Sequence, residues 1–178
     1  MRHTLIAIVE NKPGVLNRVS SLFRRRNFNI DALNVGRTEN PDISRMSITI
    51  DSKNVDAARV EANLYKLVNV VDVQEVSGEQ AVLRELAMIK LNAPITKRQE
   101  IISLANVFGA TIADVGPDTM IVQATDRPTQ VDSLIEALRP YGIRELVRTG
   151  NVAMLRGTSE GTRHTPGTGD TVSYMNGS

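Results

Sequence analysis

The chain has 178 residues, a formal net charge of +1, 41% hydrophobic content and only 3% aromatic content. That length suits one medium domain or two small ones, with a core built from Val, Ile, Leu, Met and Ala. The balanced charge leaves no footprint for nucleic acid, the lack of cysteine excludes disulfides and thiolate zinc sites, and no apolar run approaches the ~18 residues of a membrane-spanning helix. A cytoplasmic protein with no membrane or nucleic-acid partner is the expectation.

Thr4 to Val9 is apolar at nearly every position, the pattern of a strand in the middle of a sheet. It runs straight into Asn11-Lys12-Pro13-Gly14-Val15-Leu16, a Pro-Gly turn that opens a helix. From Gly14 to Arg26 the apolar residues Val15, Leu16, Val19, Leu22 and Phe23 fall on one helical stripe. Ile30 to Thr38 reads as a strand, followed by the turn Glu39-Asn40-Pro41-Asp42. Met46, Ile48 and Ile50 alternate with Ser47 and Thr49 as a half-buried strand. Ala57, Val60, Leu64 and Leu67 mark a second helix, and Val68 to Val76 a last strand. The order is β-α-β-β-α-β, the ferredoxin-like arrangement.

The same order returns after the polar join Ser77-Gly78-Glu79-Gln80. Leu86 to Leu91 is a strand, and Thr96 with Gln99 predicts a capping box ahead of Ile101, Leu104, Ala105 and Phe108. Thr111 to Val115 and Met120 to Ala124 form two strands joined at Gly116-Pro117-Asp118. Pro128 sits in the first turn of a helix carrying Val131, Leu134, Ile135 and Leu138, and Ile143 to Val147 closes the set. A parallel βαβ sheet is disfavoured, because the turns at 39–42 and 116–118 are too short for a crossover. From Gly157 the sequence turns to Gly, Thr and Ser without periodicity, which predicts a disordered tail over 157–178. The expectation is an α+β chain of two ferredoxin-like domains, 1–77 and 81–156.

The chemistry concentrates in residues 11–16. A helix start aims unpaired N–H groups at whatever lies above the sheet edge, and the positive end of its dipole is worth about 0.3–1 kcal/mol to an anion. Gly14 lets a ligand approach the backbone, and the Asn11 amide offers donor and acceptor to a carboxylate and an ammonium together. The second strand of a ferredoxin-like sheet lies at an edge, and here Ile30 to Gly36 carries one acid, no Lys and no Pro. Such an edge is poorly protected against pairing with a second copy. Edge-to-edge pairing about a two-fold would carry the partner's Asn29 and Ile30 to the Asn11–Leu16 loop. Arg24-Arg25-Arg26 reads as a solvated helix end that complements the dipole. Catalysis finds no support: the two histidines are far apart in sequence, no metal-ligand spacing exists, and no serine has a histidine partner.

Several of these stretches carry a resemblance. Asn-Lys-Pro-Gly-Val-Leu at 11–16, Asn29-Ile30, Leu33-Asn34-Val35-Gly36 and Ser44-Arg45-Met46 are similar to an ACT domain, an amino-acid sensor. With Arg84-Glu85-Leu86, Ile89-Lys90, Gly142-Ile143 and Arg148-Thr149-Gly150, residues 1–156 resemble the regulatory small subunit of acetolactate synthase. The resemblance implies no activity and no cofactor of its own. It implies a catalytic large subunit as partner, carrying thiamine diphosphate, Mg and FAD, which the small subunit activates and subjects to feedback inhibition by valine. It also implies a homodimer whose effector site combines Asn11, Gly14, Val15 and Leu16 of one chain with Asn29 and Ile30 of the other. The alternative is a free-standing ACT-type sensor acting on another enzyme. RNA binding is disfavoured, since the central strands lack exposed aromatics for base stacking.

Overall fold

The computed structural model describes residues 2–51, 56–76 and 80–157. The first half comprises β1 (Arg2–Glu10), α1 (Val15–Arg26), β2 (Ile30–Arg37), β3 (Ile43–Asp51), α2 (Ala57–Leu64) and β4 (Val70–Val76). Its four strands pair antiparallel in the order β2-β3-β1-β4. The second half comprises β5 (Ala81–Asn92), α3 (Ile95–Val107), β6 (Thr111–Val115), β7 (Thr119–Asp126), α4 (Pro128–Leu138), β8 (Ile143–Arg148) and β9 (Val152–Leu155). Four of these strands follow the matching order β6-β7-β5-β8, with β9 attached to β5. Two ferredoxin-like domains are therefore present, as the residue pattern implies.

Each sheet buries one face under its two helices. Side chains alternate along a strand, so Leu5, Ala7 and Val9 of β1 meet Met46, Ile48 and Ile50 of β3 beneath Val19, Leu22 and Phe23 of α1. Phe23 and Phe28 stack edge to face there, their ring centroids 5.8 Å apart. In the second half, Ala87, Ile89 and Leu91 of β5 lie under Ile101 and Ala105 of α3 and Val131, Leu134, Ile135 and Leu138 of α4.

The unbroken apolar run of β1 has a second cause. β5 extends five residues ahead of the expected Leu86, and its first part pairs with the unforeseen strand β9, Ala81 opposite Leu155 and Arg84 opposite Val152. This ribbon lies on the open face of the first sheet. Ile6, Val76, Ala81 and Ala153 are buried together, with Ile8, Leu83 and Leu155 packed against them. Asn34 Nδ2 donates to the Asn151 carbonyl at 3.1 Å and Arg45 Nη2 to the Ala153 carbonyl at 2.7 Å. Both faces of β1 are thus covered by different halves of one chain.

Three local expectations are corrected. The Thr96–Gln99 capping box does not form: α3 already begins at Ile95 with Pro94 as its cap residue, and the Lys97 amide donates to the Pro94 carbonyl at 2.8 Å. Thr96 is then inside the first turn, where its hydroxyl cannot reach round to the helix start. α2 ends at Leu64, because three-residue turns take over, Lys66 N–H to the Asn63 carbonyl and Leu67 N–H to the Leu64 carbonyl. β4 accordingly starts at Val70, and Val68 projects into solvent. Ser77 to Glu79 and the segment beyond Gly157 lie outside the described residues.

Tyr65, just past α2, pins that helix to β4. Its hydroxyl accepts from the Val73 amide at 2.9 Å and contacts Asp72 Oδ1 at 3.0 Å. Burial first, then the neighbouring Asp72, push its phenol up to about 12, so it stays protonated across the neutral range. Tyr65→Phe leaves the Val73 N–H without that partner. The expected loss is about 1–2 kcal/mol in chemical denaturation; an unchanged midpoint would show the bond to be idle.

Candidate functional site

The loop between β1 and α1 is built on a glycine. Gly14 caps α1 with φ 84° and ψ −5°, a left-handed conformation that costs glycine nothing. No side chain caps this helix start, and no acid lies in its first turn. The first-turn N–H groups of Leu16 and Asn17 have no intrahelical acceptor, whereas the Val15 N–H meets the Lys12 carbonyl at 3.3 Å. A Cβ placed on Gly14 would find no heavy atom within 4 Å, so the space above the turn is open.

The side chains divide in function. Val15 is buried in the core with Val19, so it faces the sheet and brings only backbone to the loop surface. Leu16 is 44% exposed, an apolar surface beside the open turn. Asn11 is fixed by two bonds to the β2–β3 turn: its amide donates to the Asp42 carbonyl at 2.7 Å and Nδ2 to the Pro41 carbonyl at 2.8 Å. That leaves it the Oδ1 acceptor and a second N–H for a ligand.

A polar brace behind the loop has no signature in sequence spacing. Lys12 Nζ donates to Glu10 Oε1 at 2.9 Å, Asn69 Nδ2 donates to Glu10 Oε2 at 2.5 Å, and Arg18 Nη1 donates to Asn69 Oδ1. Hydrogen bonds from Lys12 and then Asn69 hold the Glu10 carboxyl below its ordinary range. The brace therefore contributes above that range and is lost as pH falls through the lowered value. Asn69 is buried between α2 and β4, and only the folded chain shows why a polar residue is kept there.

Asn29 and Ile30 stand at the far end of the same sheet. Ile30 lies opposite Ile50, and Ile50 opposite His3, whereas the loop follows Glu10. At about 3.3 Å per residue the two ends are roughly 23 Å apart, so one chain does not bring the six residues together. β2 pairs with β3 alone and has an open outer edge among the described residues. Val35 on that strand is 45% exposed. Among the described residues no three His, Cys, Asp or Glu side chains cluster as a metal would need, and no helix is long and apolar enough to cross a membrane.

Comparison with known proteins agrees with this layout. Residues 5–72 match the family described as "AHAS small subunit-like ACT domain", and residues 84–157 match "Small subunit of acetolactate synthase". The chain is 47% identical over 160 residues to a probable acetolactate synthase small subunit of Archaeoglobus fulgidus, covering 90% of this chain and 100% of that one. It is 44% identical over 155 residues to the acetolactate synthase small subunit of Mycolicibacterium smegmatis, covering 87% and 91%. The crystal structure of the small subunit from Thermotoga maritima superposes with a TM-score of 0.80 at 36% identity, covering 89% of this chain and 99% of that one. Sequence and fold, over both halves, place this chain in the family of acetolactate synthase small regulatory subunits.

Proposed function

We propose that the chain binds the catalytic large subunit of acetolactate synthase, raises its activity and confers feedback inhibition by valine. On this reading it acts in the cytoplasm, and thiamine diphosphate, Mg and FAD belong to the catalytic partner. The observation that carries the effector site is the conjunction of an open, glycine-capped helix start at one end of the first sheet with an unprotected edge strand. Antiparallel pairing of two β2 edges sets the partner's Asn29 and Ile30 against Asn11, Gly14, Val15 and Leu16. The valine carboxylate then meets first-turn N–H groups at the positive end of α1, and its ammonium meets Asn side-chain oxygens. Leu16 and Ile30 flank its branched side chain.

A site divided between protomers gives valine a differential affinity for dimer arrangements. That differential, ordinarily about 1–3 kcal/mol, is what reaches the catalytic subunit as a shift of population. Asn29→Ala tests the sharing, because Asn29 is remote from the loop within its own chain. Calorimetric titration is expected to show valine binding weakened at least fivefold while sedimentation still reports a dimer. Unchanged affinity would remove Asn29 from the site.

A further inference from the structure

The edge strand β2, on which the proposed effector acts, is also gripped by the second domain. Asn34 and Gly36 of β2 alternate onto the open face of the first sheet, with Ser47 and Arg45 of β3 opposite them. On that face Asn34 Nδ2 donates to the Asn151 carbonyl and Arg45 Nη2 to the Ala153 carbonyl. The two acceptors are two residues apart at the start of β9, so they point to the same side of the chain. One is held from the edge strand and the other from its neighbour. Arg45 also stands near the loop: Ile43 lies opposite Glu10, so Arg45 is about 7 Å along β3 from the loop end of the sheet. At the other end, a β-bulge at Asp31, between Ile30 and Ala32, interrupts the register of β2 with β3, so the ladder alone does not fix the course of β2.

Stability does not account for Arg45. Its guanidinium is half-buried and bonded to a neutral carbonyl rather than to a carboxylate. Burial lowers its pKa, an effect that Glu39 nearby partly offsets, and the group stays charged across the neutral range. Taking a cation out of water for a neutral acceptor gains little that a Met of similar length would not supply by packing. What Asn34 and Arg45 add is direction. Beneath the ribbon the contact is aliphatic: Ile6, Val76, Ala81 and Ala153, with Ile8, Leu83 and Leu155 against them. Such contacts are non-directional and admit sliding of the ribbon, whereas the two hydrogen bonds single out one position. β5 carries that position onward, since it runs unbroken from Ala81 to Asn92 and lies between β7 and β8 in the second sheet. We infer, in an extension that rests on the valine reading above, that Asn34 and Arg45 are positioning residues coupling the effector site to the second domain. A movement of the β2 edge selected by valine shifts the two donors, and the β9–β5 ribbon follows them. Inhibition then reaches the catalytic partner through the second domain.

The test separates valine binding from valine inhibition, using full-length chains reconstituted with the catalytic subunit. For Arg45→Met and for Asn34→Ala, calorimetry on the free chain is expected to give a valine affinity within twofold of the native one. Activation without valine is expected to be retained, while inhibition at saturating valine falls to less than about half its native extent. Asn34→Ala removes one bond and no charge, so it carries the test should Arg45→Met not fold. Native inhibition in both variants, a loss of valine affinity as large as the loss of inhibition, or a loss of activation alongside it would overturn the coupling and leave the valine reading standing. A native chain that valine neither binds nor inhibits overturns the valine reading, and the coupling with it.

Discussion

Gly14→Asp is expected to abolish valine inhibition while the chain still folds and still activates its catalytic partner. The substitution adds a carboxylate where the ligand's own is proposed to sit, at the start of α1. No heavy atom lies within 4 Å of the new Cβ, so the added group projects into open space. The φ of 84° is a left-handed conformation that Asp tolerates better than most residues, at a strain of about 1 kcal/mol. Against that small structural cost stands direct displacement and repulsion of the effector. At least a hundredfold rise in the valine concentration for half-inhibition is the expected reading in an acetolactate assay. Retained sensitivity would move the effector site elsewhere.

The largest effect on stability is expected at Gly150. This residue has φ 77°, and a Cβ built on it would overlap the Ala32 Cβ on the first sheet. Here the obstacle is β2 itself, so the clash is relieved only by parting the domains. Gly150→Val combines left-handed strain with overpacking, together about 3 kcal/mol. For a chain of this size that corresponds to a melting temperature lower by roughly 6–12 °C. Loss of the Asn34 to Asn151 and Arg45 to Ala153 hydrogen bonds is expected alongside, visible as faster amide exchange in β9. An unaltered melting curve would mean that the ribbon does not hold the two sheets together. The contrast between Gly14 and Gly150 is instructive, because both have positive φ and only one has a neighbour.

The periodicity of the sequence carried both βαββαβ units because their cores are local. Val131, Leu134, Ile135 and Leu138 reveal a helix by their spacing alone, and all four are buried. What escaped depends on contacts distant in sequence. Arg84 and Glu85 break the apolar pattern at the start of β5, so that strand reads as beginning at Leu86. Glu85 is only 4% exposed because Arg148, from the end of β8, neutralises it. β9 is four residues long with no alternation of its own, and becomes a strand only by pairing with Ala81–Arg84. The bulge at Asp31 likewise has no local marker. For the candidate site, the loop geometry was legible in Pro13 and Gly14. Val15 counts as ligand-facing in sequence, whereas its side chain is committed to the core and only its backbone reaches the loop. The brace of Glu10, Lys12, Asn69 and Arg18 joins residues up to 59 positions apart, which no spacing rule reports.

The most direct measurement is reconstitution. The purified chain is mixed with a catalytic subunit of acetolactate synthase from the same source, and acetolactate formation is followed with and without valine. Activity that rises with added chain, and that valine lowers only when the chain is present, is the predicted result. A rate indifferent to the chain, or valine inhibition of the catalytic subunit alone to the same extent, would contradict it.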